Sequence, residues 1–358
     1  MKNYFYYYCW CLLVILTGCW NGNDGWQEET IIDLDDKPSI EMEAEVIPVS
    51  YGFLDVKDFY VLDDNTLIVV NKGRKDCPNV ILADLTTGEI LASTLFYGNG
   101  PNEALLVQSY MKDGILFIDD FAKSRLYRID PRELLTAGSD YSPSMILDYS
   151  DLYTPFIIPL DSGGTFLVMN PYCFEDKTSG IKNDEVNRFF FYSSGDNVSK
   201  EFGPFKYDPY NVNQGYIIPS SENDRIVFIH SSLPAIEVYD SKGRKIRHIQ
   251  GPSLLPARYA VNEDGGIAFS KDGIPYAYRS FFCSGNDLYV NYVGDYLKDY
   301  SSMKSTIIRM DFDGHALMSF TCPVFVSAFS VMDDGTIYGK GYDQDDTPVL
   351  WRLRPAQE

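Results

Sequence analysis

One position in a repeating pattern of this 358-residue chain carries polar side chains that could hold a ligand. It directly follows a short apolar segment in each repeat. The residues there are Asn71, Asp119, Asn170, His230 and Tyr292, with Gly341 in the last repeat. Such groups at one register predict a hydrogen-bonding collar around a ligand. The alternative is local, because Asn and Asp often end strands by bonding to nearby backbone groups.

Aromatic and basic residues concentrate in the long segments between predicted strands. They include Tyr172, Tyr207, Tyr210, Tyr259, Tyr292 and Tyr296, with Arg74, Lys75, Lys206, Arg258 and Arg279 nearby. Tyrosine can stack on a sugar or line a peptide groove with little loss of conformational entropy. Any single tyrosine could equally be ordinary packing, so their concentration is what favours binding. The predicted ligand-binding residues are Asn71, Arg74, Asp119, Asn170, Tyr172, Tyr207, Tyr210, His230, Arg258, Tyr259 and Tyr292.

Catalytic and metal-binding patterns have little support in the sequence. It has three histidines and no HExxH, GxSxG, P-loop or metal-spaced cluster. Asp119, Asp120 and Glu103 could still converge for glycoside or lactone chemistry. The acidic run at residues 343–346 could bind Ca²⁺, although it lacks the spacing of a recognised calcium loop. We predict no catalytic residue, no metal and no cofactor, with a carboxylate-based, Ca²⁺-dependent hydrolase or lyase as the alternative.

The apolar segments that precede the polar positions recur with a period of roughly 50 residues. They lie at residues 67–70, 115–118, 166–169, 226–229, 288–291 and 337–340. Each follows a polar turn rich in Asp, Asn and Gly, and further strand-like segments surround it. Four strands per repeat at this period are typical of a propeller blade. We predict an all-β fold, a six-bladed β-propeller of four-stranded antiparallel blades.

The sixth repeat contains only three predicted strands, so ring closure needs one more strand. Residues 30–34 or 40–47 near the N-terminus could supply it and cover the unpaired edge. Connections between strands 1 and 2, and between strands 3 and 4, are mostly tight turns. The other connections are long, the largest being residues 170–187, 203–214, 250–265 and 292–305. Both long classes emerge on one face, here called the loop-rich face, opposite the turn face, and long loops are usually functional.

The first nineteen residues predict a targeting segment. An apolar run ends in Leu-Thr-Gly-Cys at residues 16–19, which has the form of a bacterial lipobox with Cys19 as the lipidated residue. An ordinary signal peptide or an uncleaved anchor are the alternatives. Residues 20–29 predict a flexible tether, and residues 30–358 predict a single propeller domain. We therefore expect an exported protein that is lipid-anchored at the bacterial cell envelope.

Charge and composition limit the possible partners. The formal net charge is −21, which argues against nucleic acid because phosphate recognition needs clustered Lys and Arg. Residues are 45% hydrophobic and 15% aromatic, enough for a large β-rich core. The cysteines after residue 19 lack metal-ligand spacing and are expected to be small buried residues, although an exported protein could oxidise them.

A short motif in the first repeat adds a family resemblance. After its fourth predicted strand the sequence has the pattern G-x-G-P-x-E, formed by Gly98, Gly100, Pro101 and Glu103. With the six repeats and the lipobox, it resembles the TolB-like six-bladed β-propeller lipoproteins of Bacteroidetes, of the NHL and TolB-type propeller superfamily, over residues 30–354. Asn102 stands where that family often has Gly. The resemblance implies a cell-envelope propeller and assigns no catalytic residue.

These observations predict a monomeric binding or scaffold module. We expect its loop-rich face to bind a peptide, a glycan or an envelope protein, and its N-terminal lipid to anchor the protein in the membrane.

Overall fold

The computed structural model describes residues 29–47, 56–63, 65–73, 75, 77–150, 152, 154, 156–161, 164–170, 187–193, 196–204, 215–220, 222–253, 255–256, 258–261, 267–269, 273, 275–296, 300–345 and 347–356. The structure is 62% strand and 5% helix, which confirms the all-β prediction.

Twenty-eight strands and one α-helix follow one another through the described residues. The first half contains β1 (Glu29–Ile31), β2 (Ser39–Ile47), β3 (Val56–Val61), β4 (Thr66–Asn71), β5 (Pro78–Asp84), β6 (Ile90–Tyr97), β7 (Glu103–Ala104), β8 (Val107–Lys112), β9 (Ile115–Asp120), β10 (Arg125–Ile129), α1 (Pro131–Ala137), β11 (Ser144–Asp148), β12 (Ile157–Pro159), β13 (Thr165–Met169) and β14 (Asn187–Ser193). The second half contains β15 (Asp196–Pro204), β16 (Gly215–Ser220), β17 (Arg225–His230), β18 (Ala235–Asp240), β19 (Lys245–Gln250), β20 (Tyr259–Val261), β21 (Ile267–Phe269), β22 (Pro275–Ser284), β23 (Asp287–Tyr296), β24 (Ser305–Asp311), β25 (Ala316–Cys322), β26 (Val326–Val331), β27 (Ile337–Tyr342) and β28 (Pro348–Pro355).

The first four repeats fold as separate antiparallel meanders. They are β3–β6 with the short β7 beside β6, then β8–β11, β12–β15, and β16–β19. The six apolar segments predicted as second strands lie in β4, β9, β13, β17, β23 and β27. β4 is buried along its whole length, because a second strand has neighbours on both edges and packed sheets on both faces.

The fifth and sixth repeats share one eight-stranded sheet, in the order β22-β23-β24-β25-β2-β28-β27-β26. β2 pairs in parallel with β25 through Ser39–Glu41, and antiparallel with β28 through Met42–Ile47. Of the two segments predicted to close the ring, the second, residues 40–47, lies in β2 and pairs with the last repeat. The first candidate overlaps β1, which instead adds to the fourth repeat by pairing in parallel with β19. β1 and β2 together form a strap, residues 29–47, across the last three repeats.

Hydrophobic side chains pack between consecutive repeats. Within the described chain, six core clusters each join neighbouring repeats. One of them joins Phe59 and Leu67 of the first repeat to Ala328 and Leu350 of the last. The sheets therefore follow one another around a common axis, and the predicted propeller arrangement is confirmed.

A helix occupies the connection between β10 and β11, which belongs to a class of connections that the sequence pattern predicted to be mostly tight turns. Asp130 caps α1 by accepting hydrogen bonds from the backbone N–H groups of Arg132 and Glu133. Pro131 opens the helix and Gly138 ends it, a combination that favours a short helix. No helix among the described residues is long and apolar enough to span a bilayer.

Two predicted loops of the loop-rich face contain additional strands. β20 and β21 pair within the connection that follows β19. β22 and β23 each have ten residues and form a hairpin. Their paired segments at the end opposite the hairpin turn, residues 275–279 and 292–296, are here called the hairpin arm. Tyrosines recur along both halves of the arm, and aromatic residues favour strands over loops. The prediction of a loop from residue 292 onwards was therefore wrong for its first five residues.

Candidate ligand-binding site

The first strands of the repeats surround a central cavity of about 810 Å³. Its walls come from β3, β8, β16, β22 and β26, together with Phe156 just before β12. This volume is within the range of pockets that hold small ligands. Because the first strands run from the loop-rich face to the turn face, the residues near their starts lie at the loop-rich mouth.

A hydrogen-bonded cluster lines the cavity near this mouth. Ser109 Oγ donates to Asp58 Oδ2 at 2.7 Å, and Tyr60 Oη lies 3.0 Å from Ser109 Oγ. Burial raises the pKa of the Asp58 carboxyl, against the attraction of Lys57 and the hydrogen bond from Ser109. Burial also lowers the pKa of the Lys57 ammonium. This carboxyl, hydroxyl and phenol can exchange hydrogen bonds with a polar ligand.

Side chains of one repeat donate hydrogen bonds to backbone carbonyl oxygens in the first strand of the next repeat, which is the inner strand at the cavity. The donor and acceptor pairs are Lys340–Val56, Lys57–Val107, Tyr216–Arg279 and Asn291–Val326. The bonds from Lys57 and Tyr216 are each 2.7 Å long. In four inner strands, a backbone carbonyl oxygen near the loop-rich end therefore already accepts a hydrogen bond from a side chain of the protein.

Arg279 lies in the cavity wall at the base of the hairpin arm. Its guanidinium carbon is 3.9 Å from the centre of the Tyr276 ring. The residue is half-buried, and no carboxylate of the described residues forms an ion pair with it. Burial raises the pKa of Tyr216, and the nearby Arg279 charge opposes that rise. A stacked guanidinium in a cavity suits an anionic group of a ligand.

An aromatic shelf, consisting of Tyr300, Phe325 and Tyr342, adjoins the arm. Tyr300 stacks on Tyr342 at 4.5 Å with an interplanar angle of 11°, and on Phe325 at 5.2 Å and 19°. The hydroxyls of Tyr276 and Tyr300 lie 3.5 Å apart, which joins the shelf to the Arg279 group. This contact and burial raise the pKa of Tyr300 to about 12. The shelf is thus an uncharged aromatic cluster beside a cation, in which Phe325 is buried and the two tyrosines are half-buried.

Two predicted collar residues have the same local role in different repeats. Asn71 Nδ2 donates to the Pro78 oxygen at 2.8 Å, and Asn170 Nδ2 donates to the Asn187 oxygen at 2.9 Å. Both side chains are buried. Each fastens the end of a second strand to the start of the third strand. This geometry corresponds to the local alternative, in which Asn closes a connection between strands.

The carboxylates predicted as catalytic candidates are held by the protein itself. Tyr149 Oη donates to Asp119, and burial raises the pKa of Asp119 to about 7. Asp120 accepts hydrogen bonds from two backbone N–H groups at 3.0 and 3.2 Å. Glu103 accepts one from Gly100 N at 2.5 Å. None of these three carboxylates is among the residues that line the cavity.

His230 belongs to a buried cluster between the third and fourth repeats, here called the sealed junction (Arg188, His230, Glu237, Tyr239 and Lys245). Arg188 and Glu237 form an ion pair at 2.7 Å with both side chains fully buried. Lys245 Nζ lies 2.8 Å from Glu237, and Tyr239 Oη also donates to that carboxylate. Burial lowers the pKa of His230 to about 4. This predicted ligand contact therefore lies inside the wall of the ring.

The other predicted residues lie on the loop-rich face or outside the described residues. Tyr292 is buried and packs against Tyr278 at 5.2 Å. Arg258 is exposed and lies 4.4 Å from the centre of the Tyr296 ring. Tyr259 begins β20. The predicted residues outside the described part of the chain are Arg74, Tyr172, Tyr207, Tyr210 and the lipidation site Cys19.

The cavity wall contains residues that the sequence reasoning missed. Lys57, Asp58 and Ser109 line it, whereas the predicted residues with described positions do not. The available signal was the polar content of the first strands, whose interior positions carry Lys, Asp, Gln and Ser beside buried neighbours. Arg279 was noted only as a loop cation, and β22 extends far enough to place it in the wall.

The acidic run at residues 343–346 forms a turn in its described part. Asp343 Oδ1 accepts hydrogen bonds from the backbone N–H groups of Asp345 and Thr347, each at 2.9 Å. Such a turn needs no ion. Among the described residues, no three His, Cys, Asp or Glu side chains are grouped to hold a metal.

The G-x-G-P-x-E motif forms a closed loop after β6. Gly98 has a φ of 153°, and a Cβ there would lie 2.2 Å from the Glu103 carboxylate, which itself bonds to Gly100. Asn102 accepts a hydrogen bond from Ser142 Oγ at 3.1 Å, so the departure from Gly is accommodated. This motif shapes the chain and does not reach the cavity.

The described cysteines are unpaired thiols. Cys322 is buried, and burial raises its pKa to about 12. Cys283 lines the cavity, and burial raises its pKa to about 12 as well. Thiols with such pKa values are poor nucleophiles at neutral pH.

Known proteins share the fold of this chain. No family model and no curated protein matches the sequence. A predicted exported protein from Bacteroides fragilis is 13% identical with a TM-score of 0.55, over 92% of this chain and 99% of its own. A member of the DUF4221 family from Bacteroides vulgatus is 13% identical with a TM-score of 0.51, over 88% of this chain and 99% of its own. These likenesses show a β-propeller fold alone. A streptogramin B lyase, at 10% identity and a TM-score of 0.43 over 88% of this chain and 98% of its own, is too distant to support an argument.

Proposed function

We propose that this protein is a lipid-anchored cell-envelope propeller that binds a ligand at the loop-rich mouth of its central cavity. The observation that carries this proposal is the meeting, at one mouth, of a central cavity, a polar cluster and an arginine beside aromatic rings. Ligand sites combine these features, with a few placed polar groups fixing orientation. The predicted contacts Arg258, Tyr259 and Tyr292, and those outside the described residues, remain part of the proposed rim.

We also propose that the ring has six blades, with the eight-stranded sheet counted as two. Two observations support this count. The core clusters lie between consecutive repeats, and one closes the last repeat onto the first. The first strands of the repeats wall a single cavity. β2 would then be the fourth strand of the last blade, and its parallel contact with β25 an additional tie.

Export and lipidation are proposed from the N-terminal sequence. The lipobox at residues 16–19 and the resemblance to TolB-like lipoproteins support them, and the Bacteroides fragilis relative in fold is named as an exported protein. Mass spectrometry of the N-terminus from bacterial membranes would show a diacylated Cys19. A protein that begins at Cys19 without lipid, or at Met1, would contradict this proposal.

The direction of β1 supports an orientation for the anchored ring. β1 pairs in parallel with β19, which runs from the turn face to the loop-rich face. The chain therefore enters β1 from the turn-face side. A lipid at Cys19 would hold the turn face towards the membrane, within a tether reach of roughly 35 Å. In liposomes, headgroup quenchers should quench a fluorophore at Asp113→Cys more than one at Asp345→Cys, and the reverse order would contradict the orientation.

Thermal-shift measurements on the full-length protein in detergent test the binding role. We expect an envelope glycan or peptide to raise the unfolding temperature, with no effect of EDTA. A large Ca²⁺ shift that EDTA reverses would instead favour the hydrolase alternative. If no small ligand shifts the midpoint, cross-linking in the envelope should capture a protein partner, and failure of both experiments would refute the binding role.

One observation favours the hydrolase or lyase as a second candidate. Asp58 lies in the cavity with its pKa raised by burial, and it contacts the Ser109 hydroxyl at 2.7 Å. A carboxyl in this state can exchange protons with a bound substrate. The second carboxylate of the lining, Asp113, belongs to a turn at the other end of the cavity. Hydrolysis of a bound glycan that is abolished in Asp58→Asn would support this candidate.

A further inference from the structure

Cationic side chains gather near the cavity mouth, although the chain as a whole is acidic. The formal net charge is −21, yet three lysines influence the Asp58 carboxyl, namely Lys57, Lys72 and Lys340. Of these lysines, Lys57 lines the cavity, and Arg279 is a further cation of the same lining. Asp119 also acts on Lys57, but it is buried behind the wall with a raised pKa. A cleft lined mainly by one sign of charge attracts ligands of the other sign.

Arg279 differs from most of the partly buried arginines in this protein. Five others, Arg125, Arg128, Arg225, Arg309 and Arg352, each have a carboxylate at 2.6–3.8 Å. Arg279 has none among the described residues, and it stacks on Tyr276 instead. Arg247 also lacks an ion pair there, but it lies on the outer strand β19, away from the cavity. An unpaired guanidinium that faces a cavity is available for a carboxylate or sulfate.

The groups around Arg279 suit a sugar ring. The Tyr276 ring and the half-buried tyrosines of the aromatic shelf, Tyr300 and Tyr342, adjoin Arg279, and aromatic rings bind the apolar faces of sugars. Asp58 and Ser109 line the same cavity and can bond to hydroxyl groups. A pocket that combines ring stacking, hydroxyl recognition and one cation has the components to recognise an acidic saccharide.

An extended peptide fits this mouth less well. Peptides that add to a sheet use backbone acceptors along a free strand edge. Four of the inner strands already receive side-chain donors on backbone oxygens near the mouth, including Lys57 on Val107 and Tyr216 on Arg279. These bonds favour a ligand that is recognised by its own polar groups.

We infer that the mouth binds an anionic saccharide, whose carboxylate or sulfate pairs with Arg279 and whose hydroxyls bond to Asp58 and Ser109. This inference rests on the proposed binding function and narrows it to one chemical class. Tyr276 holds the guanidinium in place and limits its motion. Because the charge of the ligand enters a positive mouth, its affinity should fall as salt concentration rises.

Calorimetric titration of the full-length protein with matched oligosaccharides tests the inference. The probes are uronic-acid oligosaccharides, their carboxyl-reduced forms, sulfated neutral oligosaccharides of equal length, and inorganic sulfate. We expect at least one acidic form to bind about tenfold or more tightly than its neutral counterpart, because a charged hydrogen bond is lost on reduction. The carboxylate and sulfate probes distinguish the two sources of negative charge.

Variants at two arginines provide the matched control. Arg279→Gln should weaken binding of the acidic probe by about 10- to 100-fold. The affinity of Arg279→Lys for the acidic probe should lie between those of the wild type and Arg279→Gln, because lysine keeps the charge and loses the planar guanidinium. Arg247→Gln should bind like the wild type, because Arg247 is also partly buried and has no ion pair among the described residues but lies away from the cavity. Unchanged thermal unfolding of Arg279→Gln would show that the loss is local.

Three outcomes would overturn the inference. Equal binding of acidic and neutral forms would remove the anionic requirement and leave the proposed ligand-binding function intact. Equal affinity of Arg279→Gln and the wild type would place the anion elsewhere. Binding of a peptide, with no binding of any saccharide, would reject the ligand class while the binding role stood.

Discussion

Two arginines of the ring have opposite surroundings. Arg188, in the sealed junction, is fully buried, pairs with Glu237 at 2.7 Å and also bonds to the Gly203 and Pro204 oxygens. Arg279, at the cavity mouth, is half-buried, stacks on Tyr276 and has no ion pair among the described residues. The protein satisfies the first charge itself, whereas no carboxylate of the described residues pairs with the second. We therefore interpret the buried, paired charge as structural and propose recognition as the role of the unpaired charge in the cavity.

The largest expected effect comes from opening the sealed junction. Arg188→Ala should lower the free energy of unfolding by about 3–5 kcal/mol, because Glu237 would lose its closest cationic partner in a dry interior. Urea unfolding followed by tyrosine and tryptophan fluorescence measures this loss. Lys245 remains within 2.8 Å of Glu237 and could retain part of the stability.

Arg225→Ala is the control for this prediction. Its ion pair with Asp313 has the same length of 2.7 Å, but the two side chains are 26% and 48% exposed. Its removal should cost less than about 1 kcal/mol. Equal losses in the two variants would show that burial does not determine how much an arginine ion pair contributes to the stability of this protein.

The pH dependence of stability should also come from the sealed junction. Burial lowers the pKa of His230 from 6.5 to about 4, so the folded state binds this proton less readily than the unfolded chain. Stability from this group is therefore present above pH 6.5 and lost as the pH falls towards 4. The Arg188 guanidinium and the contact with His230 hold the pKa of Glu237 well below its ordinary value, against its burial, and this adds a further loss below about pH 4.5.

Unfolding midpoints in urea between pH 7.5 and pH 4 check this profile. His230→Asn should remove most of the loss between pH 6.5 and pH 4, because the amide does not titrate. The charged and titratable groups that face this ring are Arg188, Glu237 and His248. A profile that is unchanged in His230→Asn would assign the acid sensitivity to another part of the ring.

The repeats were predictable because a second strand has a strong local signature. β4, β9, β13, β17, β23 and β27 are apolar segments after polar turns, and propeller order follows from their period. The sharing of β2 between two repeats was not predictable, since Ser39–Glu41 and Met42–Ile47 bind different neighbours through backbone groups. Backbone pairing of this kind leaves little trace in side-chain pattern.

The site was harder to predict than the fold. Polar residues at the ends of second strands suggested a collar, but Asn71 and Asn170 bond to backbone oxygens of their own repeats. The same residue types serve both purposes, and only three-dimensional position separates them. Asp58 and Arg279 lie in strands, where a polar residue indicates a solvent-accessible cavity wall only if the strand is known to face a cavity. The α1 signal, Asp130 followed by Pro131, was local and could have been recognised.

A smaller effect is expected when the unpaired arginine is removed. Arg279→Gln should change the free energy of unfolding by less than about 1 kcal/mol, because no ion pair is broken and Gln keeps part of the stacking contact. Arg247→Gln should behave in the same way. Urea unfolding without ligand compares both variants with the wild type. A loss near that of Arg188→Ala would make Arg279 structural and weaken its assignment to recognition.

The smallest expected effect has the opposite sign. Burial raises the pKa of Asp58, so the folded state binds this proton more tightly than the unfolded chain does. The stability that the protonated carboxyl contributes to the protein is therefore lost as the pH rises through the raised pKa. Asn resembles the protonated form and can still accept the Ser109 hydrogen bond. Asp58→Asn should match the wild type near pH 3.5 and be more stable at pH 7, by up to about 1 kcal/mol given the half-buried position.

Comparing the two proteins at each pH cancels the losses that they share in the sealed junction. A residue that lowers stability at neutral pH and faces a cavity is typical of a functional site. If Asp58→Asn were instead less stable at every pH, Asp58 would support the fold as Glu237 does. The contrast between the open mouth and the sealed junction would then rest on Arg279 alone.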